Sequence, residues 1–152
     1  MGTGITLKCP KCSFKKAYHL GVGFMFHRVY ERVVREIQNY EYGSEWLEYF
    51  RDHPGAAIDA SKELYHCRLC NAIVDEYNLD LYERKNGTPP DNGCVALWAD
   101  LDHEYGFVKH YVHHCPICDG RMKRIHTRKD FNSLPCPRCG TTLICKQDFM
   151  WD

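Results

Sequence analysis

The sequence predicts a small α+β protein whose antiparallel hairpins are held together by metal more than by a large apolar core. Three observations carry that expectation. Eight of the ten cysteines among 152 residues stand in four Cys-x-x-Cys pairs, Cys9/Cys12, Cys67/Cys70, Cys115/Cys118 and Cys136/Cys139. Short extended stretches lead into each pair, and two helical stretches lie between the first and second. A chain of this length supports one ordinary core, or two small lobes that each lean on a metal.

Taken in order, residues 5–8 read as a strand entering CPKC, where Pro10 restricts one φ of a tight loop. Residues 26–39 read as a helix because Tyr30, Val33, Val34 and Ile37 recur at helical spacing. A second helix follows in EWLEYFRDH, with Ser44 as its expected N-cap and Pro54-Gly55 as its stop. Residues 56–66 read as extended, running into CRLC, and AIVDEYNLDLY as the strand that leaves it. KNGTPPDNG, residues 85–93, is a loop and the expected boundary between lobes. Beyond it, CVALWADLDHEYG reads as a short helix. Residues 107–114 then enter CPIC as a strand, 120–126 leave it, TRKDFNSL forms a turn or a single helical turn, and 141–146 close the chain after CPRCG.

Pairs spaced two residues apart suit chelation rather than a disulfide framework, which implies a reducing compartment. Seventeen residues separate Cys118 from Cys136, a distance a hairpin spans, so the spacing predicts one four-thiolate site from Cys115, Cys118, Cys136 and Cys139. By the same rule Cys9, Cys12, Cys67 and Cys70 form the other, with residues 24–53 a helical hairpin inserted in that connection and packed on the first lobe. The expected division is a first lobe at 1–84, a linker at 85–93 and a second lobe at 94–152. Pairing Cys9/Cys12 with a C-terminal pair is the alternative, and it would leave a middle knuckle stranded. Four thiolates hold Zn2+ tetrahedrally and leave no position for water, so two structural zinc ions are the expected cofactors.

CPIC-x17-CPRCG resembles the zinc-ribbon and rubredoxin-like families over about residues 107–147, which implies two zinc-ribbon lobes in tandem. Through CPKC, GVGFMF, EYGSEW, both C-terminal knuckles and MWD, the whole chain also resembles a group of uncharacterised bacterial tandem zinc-ribbon proteins; that resemblance implies a fold and no activity. Iron in the same cage would make a rubredoxin-like electron carrier, but the basic surroundings, Arg138 among them, favour zinc. His114-Cys115-x5-Arg121 matches the cysteine-phosphatase pattern, although Cys118 sits inside it as a metal partner. Asp102-His103 ahead of CPIC faintly resembles HNH-type nucleases, whose second histidine is absent here.

Formal net charge is zero, but the charges are segregated. Residues 8–36 hold seven Lys/Arg against two acids, residues 41–104 five against fourteen, and residues 109–146 eight against two. The expected function is a non-catalytic binding or adaptor module contacting an unidentified protein or nucleic acid. If nucleic acid, Arg121, Lys123, Arg124, Arg128 and Lys129 are the candidate contacts, with Phe131 and Trp151 as candidate stacking surfaces. His110, His113 and His114 read as solvated strand positions, Cys145 as a small buried apolar residue, and Cys94 as following a loop. Without a leader-like N-terminus or a long apolar run, the expected location is the cytoplasm, with no membrane contact.

Overall fold

The computed structural model describes residues 2–23, 25–90, 101 and 103–151, and of Asp148, Phe149 and Trp151 only the backbone. Cys94, Asp102 and most of the helix expected at 94–106 therefore lie outside the described residues, as does the Trp151 side chain. The observed class is α+β with antiparallel sheets.

Strand pairing divides the chain into two units that are interleaved along the sequence rather than placed one after the other. The first comprises residues 1–23, 62–77 and 112–152, and the second residues 24–61 and 78–111. The expected division at 85–93 is thus corrected. Extended stretches that look continuous in sequence turn from one unit to the other, at Asp59–Ser61 and at Asn78–Asp80, where Leu79 takes a positive φ of 63°.

In the first unit, β1 (Gly2–Lys8) and β2 (Lys15–Gly21) form a hairpin around the first knuckle. β4 (Lys62–Cys67) and β5 (Ile73–Tyr77) form one around the second. The strand leaving the third knuckle, β8 (Met122–Ile125), pairs with β4, Leu64 facing Ile125 and Cys67 facing Met122. The strand leaving the fourth, β9 (Ile144–Trp151), pairs with β1 along its whole length, from Lys8/Ile144 to Gly2/Trp151. Two copies of one three-stranded arrangement result, β2-β1-β9 and β5-β4-β8, each centred on the strand that enters its N-terminal knuckle. A single register pair, Gly21/Lys62, joins them into one sheet.

Alternation on β1 turns Ile5 and Leu7 inward and Thr6 and Lys8 outward. The inward side chains pack with Tyr18, Leu64, Ile73, Ile125, Leu134 and Leu143. Phe131, on the short helix α3 (Arg128–Phe131), packs against the same cluster and is partly buried there. Thr127 begins α3 with a reciprocal capping box: its hydroxyl accepts from the Asp130 amide at 3.1 Å, and the Asp130 carboxylate accepts from the Thr127 amide at 3.2 Å.

The second unit contains α1 (Phe26–Gln38), α2 (Ser44–Asp52) and the sheet β3 (Ala56–Ile58), β6 (Leu81–Arg84) and β7 (Tyr105–Lys109). The helical hairpin therefore belongs with this sheet and not with a metal-bearing lobe. On α1 the buried residues are Phe26, Tyr30, Val33 and Ile37, one helical stripe. Ser44 is the first residue of α2 rather than its cap. Gly43 precedes it at φ 91°, backbone that a side chain would strain. Trp46 donates its indole N–H to the Leu79 carbonyl at 2.9 Å, satisfying its one polar atom while the ring is buried.

Candidate metal centres

Each of the four knuckles closes by the same bond. The amide of the first cysteine donates to the carbonyl five residues on: Cys9 to Phe14, Cys67 to Ala72, Cys115 to Gly120 and Cys136 to Thr141, at 2.8–2.9 Å. Amides inside the loop then point at the first sulfur; Lys11, Ile117 and Arg138 each donate at 3.4 Å. In three knuckles the residue after the second cysteine is left-handed, namely Asn71, Asp119 and Gly140, two of them types that tolerate this region and one the type that favours it. The first knuckle has Ser13 there, and the Arg138 guanidinium reaches its hydroxyl at 3.1 Å.

The knuckles face one another in a nested order. Cys9, Cys12, Cys136 and Cys139 form one group and Cys67, Cys70, Cys115 and Cys118 the other, each with all four sulfurs within 4.8 Å of one another. This corrects the tandem pairing. Cys115/Cys118 do not join Cys136/Cys139, and Cys9/Cys12 do not join Cys67/Cys70. The alternative pairing of the first knuckle with a C-terminal one holds, and no middle knuckle is stranded, because the two middle knuckles take each other.

The physical reason lies in the strands. The seventeen residues after Cys118 are occupied by β8, which pairs with β4, and by α3, so they do not fold back as a hairpin. Chain length opposes this only weakly. Closing the 124 positions from Cys12 to Cys136 costs about 1.7 kcal/mol more than closing the eighteen from Cys118 to Cys136.

The donor set fits a tetrahedral metal. Facing sulfurs lie 3.5 Å apart for Cys9/Cys139, Cys67/Cys118 and Cys70/Cys115, and 3.6 Å for Cys12/Cys136. A tetrahedron with metal–sulfur bonds of about 2.3 Å has edges of about 3.8 Å, whereas a disulfide brings its sulfurs to about 2.05 Å. The thiols are also split in acidity. In the first group Cys139 is brought down to about 6 by the Thr141 hydroxyl and amide and by Cys9. Cys12 accepts from the Phe14 amide, but burial and the surrounding sulfurs outweigh it and push it up to about 12. In the second group the amides of Cys70 and Leu69 bring Cys67 down to about 7. Cys118 there, despite the Gly120 amide, is pushed up to about 12 by Cys67, Cys70 and burial. Four sulfurs this close cannot all ionise beside one another without a cation, so the arrangement calls for one.

The tips of the two centres differ. At the third position of the knuckles, the outer centre carries Lys11 and Arg138, and the inner one Leu69 and Ile117, which are 77% and 76% exposed. These residues can be read from sequence as CPKC, CPRC, CRLC and CPIC once the pairing is known.

Other candidates are dispersed. Lys123 pairs with Asp130 at 2.5 Å and Arg124 with Glu63 at 2.7 Å, so these two cations are engaged within the fold. Arg121, Arg128 and Lys129 are exposed. His110 meets the Asp80 carboxylate at 2.9 Å, His114 the Asp119 carbonyl at 3.0 Å, and His113 is buried with its ring 3.9 Å from that of Tyr65. The three histidines thus have three separate settings, and His113 is not a solvated position. Among the described residues the metal-ligating groups are the two four-cysteine sets, and His103 is in neither. Its carbonyl accepts from Lys85 at 2.9 Å. Cys145 is partly buried on the wall of an open groove of about 790 Å3, beside Ile5, Leu20 and Phe131. No described helix is long and apolar enough to cross a membrane.

No protein-family model, curated protein or solved structure matches the chain, so its two four-cysteine centres are the firmest guide to what it does.

Proposed function

We propose that the protein is a zinc-binding module in which two zinc ribbons, one nested inside the other, carry surfaces for a macromolecular partner and perform no chemistry at the metal. The observation that supports this reading is the closed shell of each centre. Four sulfurs from two facing knuckles complete a tetrahedron, and a saturated thiolate site has no position for substrate or water. Zinc is favoured over iron by the cationic tips of the outer centre, Lys11 and Arg138. Contact with a partner, protein or nucleic acid, is the remaining task for such a scaffold.

Metal analysis of the purified protein tests this. Two zinc per chain and no visible absorbance are expected. A coloured protein containing iron, with a reversible one-electron couple, would replace the module by an electron carrier. Mg2+-dependent DNA cleavage lost in His103→Ala would replace it by a nuclease.

A further inference from the structure

The outer centre sits at the end of a sheet face whose lysines have no anionic partner among the described residues. On the knuckle side of the register shift at Gly4/Ile5, the outward side of β2-β1-β9 is built from two cross-strand rows, Lys15–Lys8–Ile144 and Ala17–Thr6–Lys146. Residues directly opposite on an antiparallel ladder share a face, so Lys8, Lys15 and Lys146 project from one side. All three are exposed, and none takes part in an ion pair among the described residues. The segments supplying these rows, residues 2–23 and 131–147, contain no Asp or Glu at all.

Lys8 and Lys15 stand directly opposite each other, an arrangement that costs stability. The outer centre, loaded with a divalent ion on four thiolates, would carry a formal charge of −2. Lys11 and Arg138, at its knuckle tips, offset that charge. Lys8, Lys15 and Lys146 have no partner among the described residues, and the small side chains of Thr6 and Ala17 beside them let a phosphate backbone approach the strands.

We propose that this face binds the phosphate backbone of duplex nucleic acid without reading its sequence. The inference rests on the module reading above and names the partner's class. Nucleic acid is favoured over an acidic protein because the face offers three point charges set among the small or aliphatic side chains of two adjacent cross-strand rows, which suits a run of phosphates. Duplex is favoured over single strand because none of the six residues in the two rows is aromatic, so bases would find nothing to stack on. The face is also preferred to Arg121, Arg128 and Lys129, which lie in a segment that carries Asp119 and Asp130.

The test uses the full, metal-loaded chain and a fluorescein-labelled 20-base-pair duplex, read by anisotropy between 50 and 200 mM KCl. Three phosphate contacts give a log–log salt slope of about −2.7 and a loss of affinity of about 40-fold across that range. In Lys8→Gln/Lys15→Gln/Lys146→Gln the binding should fall at least tenfold at 50 mM and the slope flatten. The metal content should stay at two and the melting point should not drop, since a like-charge pair has been removed. Arg121→Gln/Arg128→Gln/Lys129→Gln should bind within about twofold of the wild type. The proposal is overturned if the wild type does not bind duplex at 50 mM, if binding survives the first triple variant, or if it is lost in the second. Capture by phosphatidylserine vesicles without duplex binding also overturns it. Iron in a protein that still binds duplex through this face would sink the zinc-module reading and leave this one standing.

Discussion

Replacing Cys136 by serine distinguishes the nested pairing from a tandem one with a single measurement. In the structure Cys136 lies 3.6 Å from Cys12, so its loss opens the group that also contains Cys9 and Cys139. A structural zinc site of this type is worth about 10–16 kcal/mol of apparent binding free energy at neutral pH. Losing even a third of that costs about 3–5 kcal/mol, a large share of the 5–15 kcal/mol by which whole domains are stable. The outer centre should therefore empty, and the seven register pairs of β1 with β9 should loosen with it. The assay is native mass spectrometry for metal, followed by a short iodoacetamide pulse and peptide mapping. The expected result is one zinc per chain, with Cys9, Cys12 and Cys139 alkylated while Cys67, Cys70, Cys115 and Cys118 stay protected. Alkylation of Cys115 and Cys118 with Cys9 and Cys12 protected would refute the nested pairing outright.

Lys15→Thr removes the like-charge pair with Lys8 and should raise stability by about 0.5 kcal/mol in urea unfolding. Gly140 has φ +73° with open space around its Cα, so Gly140→Ala should cost about 1–2 kcal/mol through backbone strain alone and make the outer centre yield zinc to a chelator sooner. Asn71→Gly and Asp119→Gly, at the equivalent left-handed positions of the inner centre, should act in the opposite direction. Thr127→Ala opens the capping box of α3 and should destabilise by about 1 kcal/mol, visible as faster amide exchange at Asp130. Tyr49 donates to Glu83 at 2.6 Å and, with His53, holds that carboxyl below its ordinary 4.5. A depressed carboxylate stabilises the fold above that value and loses its contribution as pH falls through the folded pKa. In Tyr49→Phe an NMR titration should accordingly show Glu83 moving upward.

Local structure was legible wherever it depends on neighbours in sequence. The helix expected at 26–39 is found at Phe26–Gln38, because Tyr30, Val33 and Ile37 set a stripe that no other period fits. The four knuckles form where the Cys-x-x-Cys pairs are, since their closing bonds span only five residues. The illegible parts were those in which a stretch keeps its local character while changing partners. Residues 56–66 are extended in part, but Ala56–Ile58 and Lys62–Cys67 belong to different sheets, separated at Asp59–Ser61, where the Asp59 carboxylate accepts from the Ser61 amide at 2.9 Å. The strand-like surroundings of His113 suggest a solvated position, whereas the ring of Tyr65 lies against it and the residue is buried.

Read by itself, the sequence determined that there are four knuckles, that their eight cysteines can ligate metal, and that charge is segregated along the chain. These are properties of short segments, carried by steric and hydrogen-bonding preferences over a few residues. Which knuckle meets which was decided only in three dimensions. Four near-identical loops offer no local code for choosing a partner, and loop entropy separates the choices by less than about 2 kcal/mol. The pairing of β1 with β9 and of β4 with β8 makes the selection, and it also assembles Lys8, Lys15 and Lys146, far apart in sequence, into one face.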